Sequence, residues 1–216
     1  MDKALLKEVV LEQKQAQEGF DLGIKRIRLD AIEKLIALPH TVVISGMRRV
    51  GKSTFLAQII GNYFKEGVYY FNFEDERLVE FTTADFNNLY ELLLELEGEK
   101  KIFFFDEIQN VQKWELFVRR MQDRGHKFFI TGSNASLLSK ELGTRLTGRC
   151  AMLELYPFSF EEFLRFNGVE FNEEMFLYTE KRGELKRYFG EYLKTGGMPE
   201  YLKYQDASLL KRVYED

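Results

Sequence analysis

The sequence predicts a doubly wound α/β fold: a three-layer αβα sandwich around a five-stranded parallel sheet, followed by a small C-terminal helical lid. Three observations carry this. Five short apolar runs recur between residues 41 and 155, near-continuous as strands buried on both faces require. Apolar residues at helical spacing fill the intervals between them. At the first strand–helix junction, Gly46-Met47-Arg48-Arg49-Val50-Gly51-Lys52-Ser53-Thr54 fits the pattern G-x-x-x-x-G-K-[ST].

In chain order, residues 2–18 read as a helix with Leu5, Leu6, Val9 and Val10 on one side. A second helix spans about Arg26 to Ala37 and ends before Pro39. The strands are expected at 41–45, 67–73, 101–105, 127–131 and 151–155. Helices are expected at 52–64, 83–96, 113–124 and about 135–141. After Pro157 the pattern turns wholly helical. Ser159 and Glu162 have capping-box spacing. Leu185, Tyr188, Phe189, Tyr192 and Leu193 then mark an amphipathic helix stopped by Gly196-Gly197 and Pro199. The division expected is an N-terminal helical extension (1–24), an αβ core (25–157) and a helical lid (158–216).

Composition narrows the function classes. The apolar fraction of 45% suits a chain with a real core, and 20 phenylalanines make that core aromatic. A net charge of −4 with mixed signs gives no overall basic footprint, so nucleic acid as a partner is not supported by charge. The local basic clusters around Arg119-Arg120 and Lys181-Arg182 read first as solvated helix faces. Cys150 is the only cysteine, and His40 and His126 are the only histidines. That excludes an internal disulfide and a Cys- or His-built metal site. No apolar run approaches the length of a membrane span and no secretory leader opens the chain, so the expected location is cytoplasmic, without membrane.

The glycine loop has a chemical reading. Backbone N–H groups of residues 46–54 and of the following helix N-terminus converge on phosphate oxygens. Lys52 reaches the β- and γ-phosphates and the Ser53 hydroxyl is placed for Mg²⁺. Thr54 reaches a more inward phosphate. Arg48 and Arg49 either touch phosphate or a partner, or stand exposed beside the anion site. Ile102-Phe103-Phe104-Phe105-Asp106-Glu107 is an apolar strand ending in two carboxylates, one βα unit further on. Asp106 would hold the metal, and Glu107 would polarise an attacking water as general base. In Thr131-Gly132-Ser133-Asn134, Ser133 or Asn134 is a candidate γ-phosphate sensor, with an N-cap role for Asn134 as the alternative. Arg149, and less directly Arg145, is a candidate for stabilising a transferring phosphoryl group; an ion pair with a nearby acid is the other reading.

With these motifs in this order, the chain resembles the AAA+ ATPases, and more narrowly the archaeal-type ATPase group, related in places to STAND signalling NTPases. The resemblance is carried by Ser45–Thr54, Phe105-Asp106-Glu107-Ile108-Gln109, Ile130–Ala135, Leu146-Thr147-Gly148-Arg149, Pro157–Phe163 and Gly196-Gly197-Met198-Pro199-Glu200. It covers roughly residues 26–205. It implies a P-loop NTPase core that binds ATP with Mg²⁺ and hydrolyses it, driving a change between core and lid that acts on a protein partner it does not identify. It also implies a homo-oligomer in which Arg149 reaches a neighbour's nucleotide, and a further C-terminal domain beyond Asp216. Arg182 and Arg187 are unanchored candidates for a second sensor arginine. A slowly hydrolysing STAND-like switch and a DNA-associated ATPase are the alternatives. GTP is disfavoured because no Asn-Lys-x-Asp segment follows the fourth strand, and Glu107 beside Asp106 favours water over a small-molecule acceptor.

Overall fold

A computed structural model describes residues 1–65, 67–132, 148–172, 174–206 and 208. Five parallel strands form one sheet: β1 (Thr41–Ser45), β2 (Val68–Asn72), β3 (Ile102–Asp106), β4 (Lys127–Gly132) and β5 (Cys150–Glu154). Their order is β2-β3-β4-β1-β5, which seats β4 between the strand that feeds the glycine loop and the strand that ends in Asp106. Each strand falls within a residue of its expected limits. The helix expected near 135–141 lies outside the described residues.

Helices cover both faces. Helices α1 (Lys3–Glu18), α4 (Phe86–Glu97) and α5 (Trp114–Gln122) supply or adjoin one apolar cluster. Helices α2 (Leu29–Ile36) and α3 (Lys52–Ile59) supply the other. The alternation of strand side chains sorts the phenylalanines between them. Phe103, Phe105 and Phe128 enter the first cluster; Phe104 and Phe129 enter the second. The register pairs Phe103 with Phe128 and Phe104 with Phe129, and both pairs stack, at centroid distances of 4.8 and 4.7 Å. Such offset aromatic pairs add to the burial of their area.

Helix α1 begins at Asp2, whose carboxylate accepts the amides of Ala4 and Leu5. It then buries Leu6, Val9 and Val10 in the first cluster. Gln13 pairs with both backbone groups of Asn72, 2.8 and 2.9 Å, so α1 satisfies part of the open edge of β2. The region expected to be one helix over 52–64 is α3 followed by a π-helical turn, Ile60–Phe64. The extra residue per turn places Phe64 against Phe104 and Phe129.

The lid comprises α6 (Phe160–Phe166), α7 (Glu174–Leu177), α8 (Thr179–Thr195) and α9 (Pro199–Tyr204). The capping box at Ser159 and Glu162 is formed. Helix α8 ends at Gly196 as expected, in the left-handed conformation. Its apolar stripe is only partly covered: Tyr188, Phe189 and Tyr192 contact Phe160 or Phe163, but Phe189 and Leu193 stay exposed. The Gly197 carbonyl accepts the Phe158 amide at 2.8 Å, and a side chain at Gly197 would collide with the Phe158 carbonyl. Among the described residues, no helix is long and apolar enough to cross a membrane.

Candidate active site

Strand β1 is wholly buried and delivers the loop 46–51 at the carboxyl edge of the sheet. At Gly46 the loop passes so close to β5 that an added Cβ would lie 2.5 Å from the Leu155 carbonyl. Only glycine permits that approach. Val50 anchors the loop by burying its side chain in the second cluster. Gly51 then starts α3, placing Lys52, Ser53 and Thr54 in its first turn. Met47 and Arg48 are exposed; Arg48 makes a loose surface pair with Glu74 at 4.0 Å. Arg49 turns the other way, with φ 66°, and pairs with Glu200 of α9 at 3.2 Å.

The two acids after β3 meet this loop. Asp106 is fully buried and accepts hydrogen bonds from Ser53, Thr131 and, at 3.3 Å, the Tyr70 hydroxyl. Burial pushes its carboxyl above the ordinary range, and the hydrogen bonds from Ser53 and Thr131 oppose that shift. Burial, and then the charge of Asp106, raises the Tyr70 hydroxyl in turn. Glu107 adopts a left-handed backbone, φ 50° and ψ 45°, which swings its side chain out of the line of β3. Its Oε1 lies 3.2 Å from Lys52 Nζ, and Oε2 accepts from Gln109. Its amide donates to the Thr131 hydroxyl at 2.9 Å.

Of the expected site residues, Lys52 and Ser53 therefore meet Glu107 and Asp106, while the side chains of Arg48 and Arg49 point to other partners. Ser133, Asn134 and Arg145 lie outside the described residues. Arg149 lies at the opposite edge. Its carbonyl accepts the amide of Thr41, the first residue of β1, and its guanidinium pairs with Asp123 after α5. One strand length, about 13–16 Å, separates that edge from the loop. Arg149 is thus remote from the loop of its own chain.

Three participants were given no role by the sequence. Thr131 stands in the segment 130–135 that carries the resemblance but was given no role there, and Tyr70 is a polar residue inside an apolar strand. Arg26 had none. It is buried and donates to Glu162 at 3.0 Å, to the Val50 carbonyl at 3.1 Å and to the Tyr156 carbonyl at 2.5 Å. Its guanidinium also lies over the Phe158 ring. Beside it opens a cleft of about 510 Å³ between residues 20–26, the loop residues Arg49–Gly51 with Thr54, and the lid residues Phe166, Pro199, Glu200 and Tyr204. This size suits a small organic ligand.

A parallel sheet of this order, with a phosphate-type loop after β1 facing paired acids after β3, defines a P-loop nucleotide-binding ATPase fold. The chain belongs to the AAA family: the model of the AAA domain matches residues 39–164. It is 40% identical over 215 residues to an uncharacterized protein of Methanocaldococcus jannaschii, covering 99% of this chain and 47% of that protein. It is 36% identical over 182 residues to an uncharacterized protein of Haemophilus influenzae, covering 80% of this chain and 43% of that one. The chain thus spans about half the length of the curated relatives it matches. Among solved structures it is similar to a signal transduction ATPase with numerous domains (STAND) from Pyrococcus horikoshii, at a TM-score of 0.50 and 18% identity. That match covers 91% of this chain and 33% of the other, and the likeness is one of fold.

Proposed function

We propose that this chain binds ATP with Mg²⁺ at the carboxyl edge of its sheet and hydrolyses it, using the change to move the lid against the core. The observation that carries the reading is the meeting of Lys52, Ser53, Asp106 and Glu107, from two strands with β4 between them. In this reading Lys52 and the amides of residues 46–54 hold the phosphates, and the cleft beside Arg26 takes the base and ribose.

The donor set fits a magnesium ion. Ser53 and Asp106 offer a hydroxyl and a carboxylate in contact, all hard oxygen ligands. No group of three or more His, Cys, Asp or Glu among the described residues could hold a metal without the nucleotide. One carboxylate plus substrate phosphates is the usual way Mg²⁺ is held. Bound there, the ion would neutralise charge on the β- and γ-phosphate oxygens. Glu107 would orient a water and take its proton as the water attacks the γ-phosphorus and the bond to the β–γ bridging oxygen breaks, releasing ADP, and Lys52 would offset charge on the phosphoryl oxygens.

Two ion pairs, Arg49–Glu200 and Arg26–Glu162, join the loop region to the lid. They favour a second reading in which the lid reports nucleotide occupancy and turnover is slow, as in a switch. Arg149, remote from its own loop, is proposed to act on the nucleotide of a neighbouring copy. The test is phosphate release from ATP with and without Mg²⁺, against GTP and across protein concentration, with Glu107→Gln as control. No release above Glu107→Gln, together with no ATP binding, would refute both readings. Tight binding with turnover slower than about one per minute would select the switch, since typical enzymes turn over at about 1–1000 per second.

A further inference from the structure

We propose that Thr131 is a positioning residue for hydrolysis: its one buried hydroxyl ties the backbone of Glu107 to the carboxylate of Asp106 and so sets both acids. The proposal rests on the reading above, in which Glu107 serves the water and Asp106 the metal.

Strand geometry puts Thr131 where it can do this. Phe104 pairs with Phe129 across β3 and β4, and both face α3. Two residues on, strand alternation brings Asp106 and Thr131 to that same face, level with each other. Thr131 is completely buried. Its hydroxyl accepts the Glu107 amide at 2.9 Å and donates to Asp106 Oδ1, using its single proton and one acceptor site. The amide it holds belongs to a non-glycine residue in the left-handed region, a conformation that persists only where the surroundings fix it. That conformation aims the Glu107 side chain at Lys52 rather than along the strand. Replacing the hydroxyl with a methyl, as in Thr131→Val, keeps the volume but leaves a buried N–H and a carboxylate oxygen without this partner.

Packing alone would make the methyl group matter as much as the hydroxyl. The proposal makes the hydroxyl matter, so Thr131→Val and Thr131→Ser separate the two. In Thr131→Val, kcat for ATP should fall about tenfold or more, with KM within about twofold and ATP affinity in EDTA unchanged. Thr131→Ser should keep most of the parental kcat. Hydrogen exchange of the Glu107 amide, measured without nucleotide, should quicken in Thr131→Val and not in Thr131→Ser. If Thr131→Val does not fold, Thr131→Ser against Thr131→Ala reads the same contrast, because both lack the methyl and only one has the hydroxyl. Parental kcat in Thr131→Val, equal losses in Thr131→Val and Thr131→Ser, or unchanged exchange at Glu107 would each overturn the proposal. A parent that does not hydrolyse ATP, or a Glu107→Gln variant as active as the parent, sinks the functional reading instead; the exchange measurement still decides the placement.

Discussion

Lys52 and Glu107 meet across β4, with the ammonium nitrogen 3.2 Å from a carboxylate oxygen. Both are buried, Lys52 at 5% and Glu107 at 9% exposure, so each is the other's principal counter-charge. In the proposed reading, phosphate bound at the loop would compete with Glu107 for the same ammonium. Lys52→Ala should therefore lose a charge-assisted contact worth ~2–3 kcal/mol, or about 30- to 150-fold in ATP affinity. Titration calorimetry with ATP checks this. Parental affinity would remove Lys52 from the phosphate site.

Glu107→Gln separates binding from chemistry. The amide can still accept from Gln109 but no longer competes as an anion for Lys52. ATP should bind at least as tightly as in the parent, while hydrolysis falls by ~100-fold or more, the usual size of a lost general base. Asp106→Ala should instead raise the Mg²⁺ concentration needed for nucleotide binding. The comparison needs only Mg²⁺ titrations of fluorescent-nucleotide binding beside phosphate release. Equal losses of ATP affinity in both variants would contradict the division of labour.

Asp106→Asn should stabilise the nucleotide-free fold. The Asp106 carboxyl is raised in the folded chain by burial, so folding favours its protonated form. Between the ordinary carboxylate range and that raised value, the folded state binds more protons than the unfolded one, and stability falls as pH rises. An amide side chain carries no such charge. The gain at neutral pH should be on the order of 1 kcal/mol, or about 2–4 °C in Tm, and should shrink as pH falls through that window. Calorimetric scans from acid to neutral pH test the sign. A variant less stable than the parent at neutral pH would show that the hydrogen bonds to the ionised carboxylate outweigh its burial.

Arg26→Ala should be the most destabilising change near the site. It strands Glu162 in a buried setting and removes the donor to the Val50 and Tyr156 carbonyls. Breaking one side of a buried ion pair costs roughly 3–5 kcal/mol. Urea denaturation should show that loss. Glu162→Gln, which can still accept at the Ser159 cap, should cost less. A loss below about 1 kcal/mol for Arg26→Ala would mean the guanidinium network contributes little.

Arg149→Ala should lower turnover while leaving ATP affinity nearly intact, because the proposed contact is with another copy's nucleotide and matters as charge shifts. Asp123, its partner in the chain, supplies a control: Asp123→Ala should not lower turnover. Mixing Arg149→Ala with Lys52→Ala protein should restore activity, since a mixed interface pairs one intact loop with one intact arginine. Co-sedimentation must first establish assembly. No recovery in assembled mixtures would exclude action in trans.

Much of this was legible in the chain alone. Five apolar runs fixed the strands to within a residue. The loop 46–54 and the pair Asp106-Glu107 announced themselves by local pattern, as did the Ser159–Glu162 cap. These features are short in range: periodicity, turn chemistry and capping are written in neighbouring residues. The seating of β4 between β3 and β1 was not, nor were the roles of Thr131, Tyr70 and Arg26. The Thr131 hydroxyl reaches the Asp106 carboxylate and the Glu107 amide at the end of another strand, and Arg26 reaches Glu162 across most of the chain. Such contacts depend on sheet order, register and the closure of the lid, which are settled by burial summed over the whole body. A single polar residue in an apolar strand shows that something must satisfy it. Only the packed structure decides what that partner is.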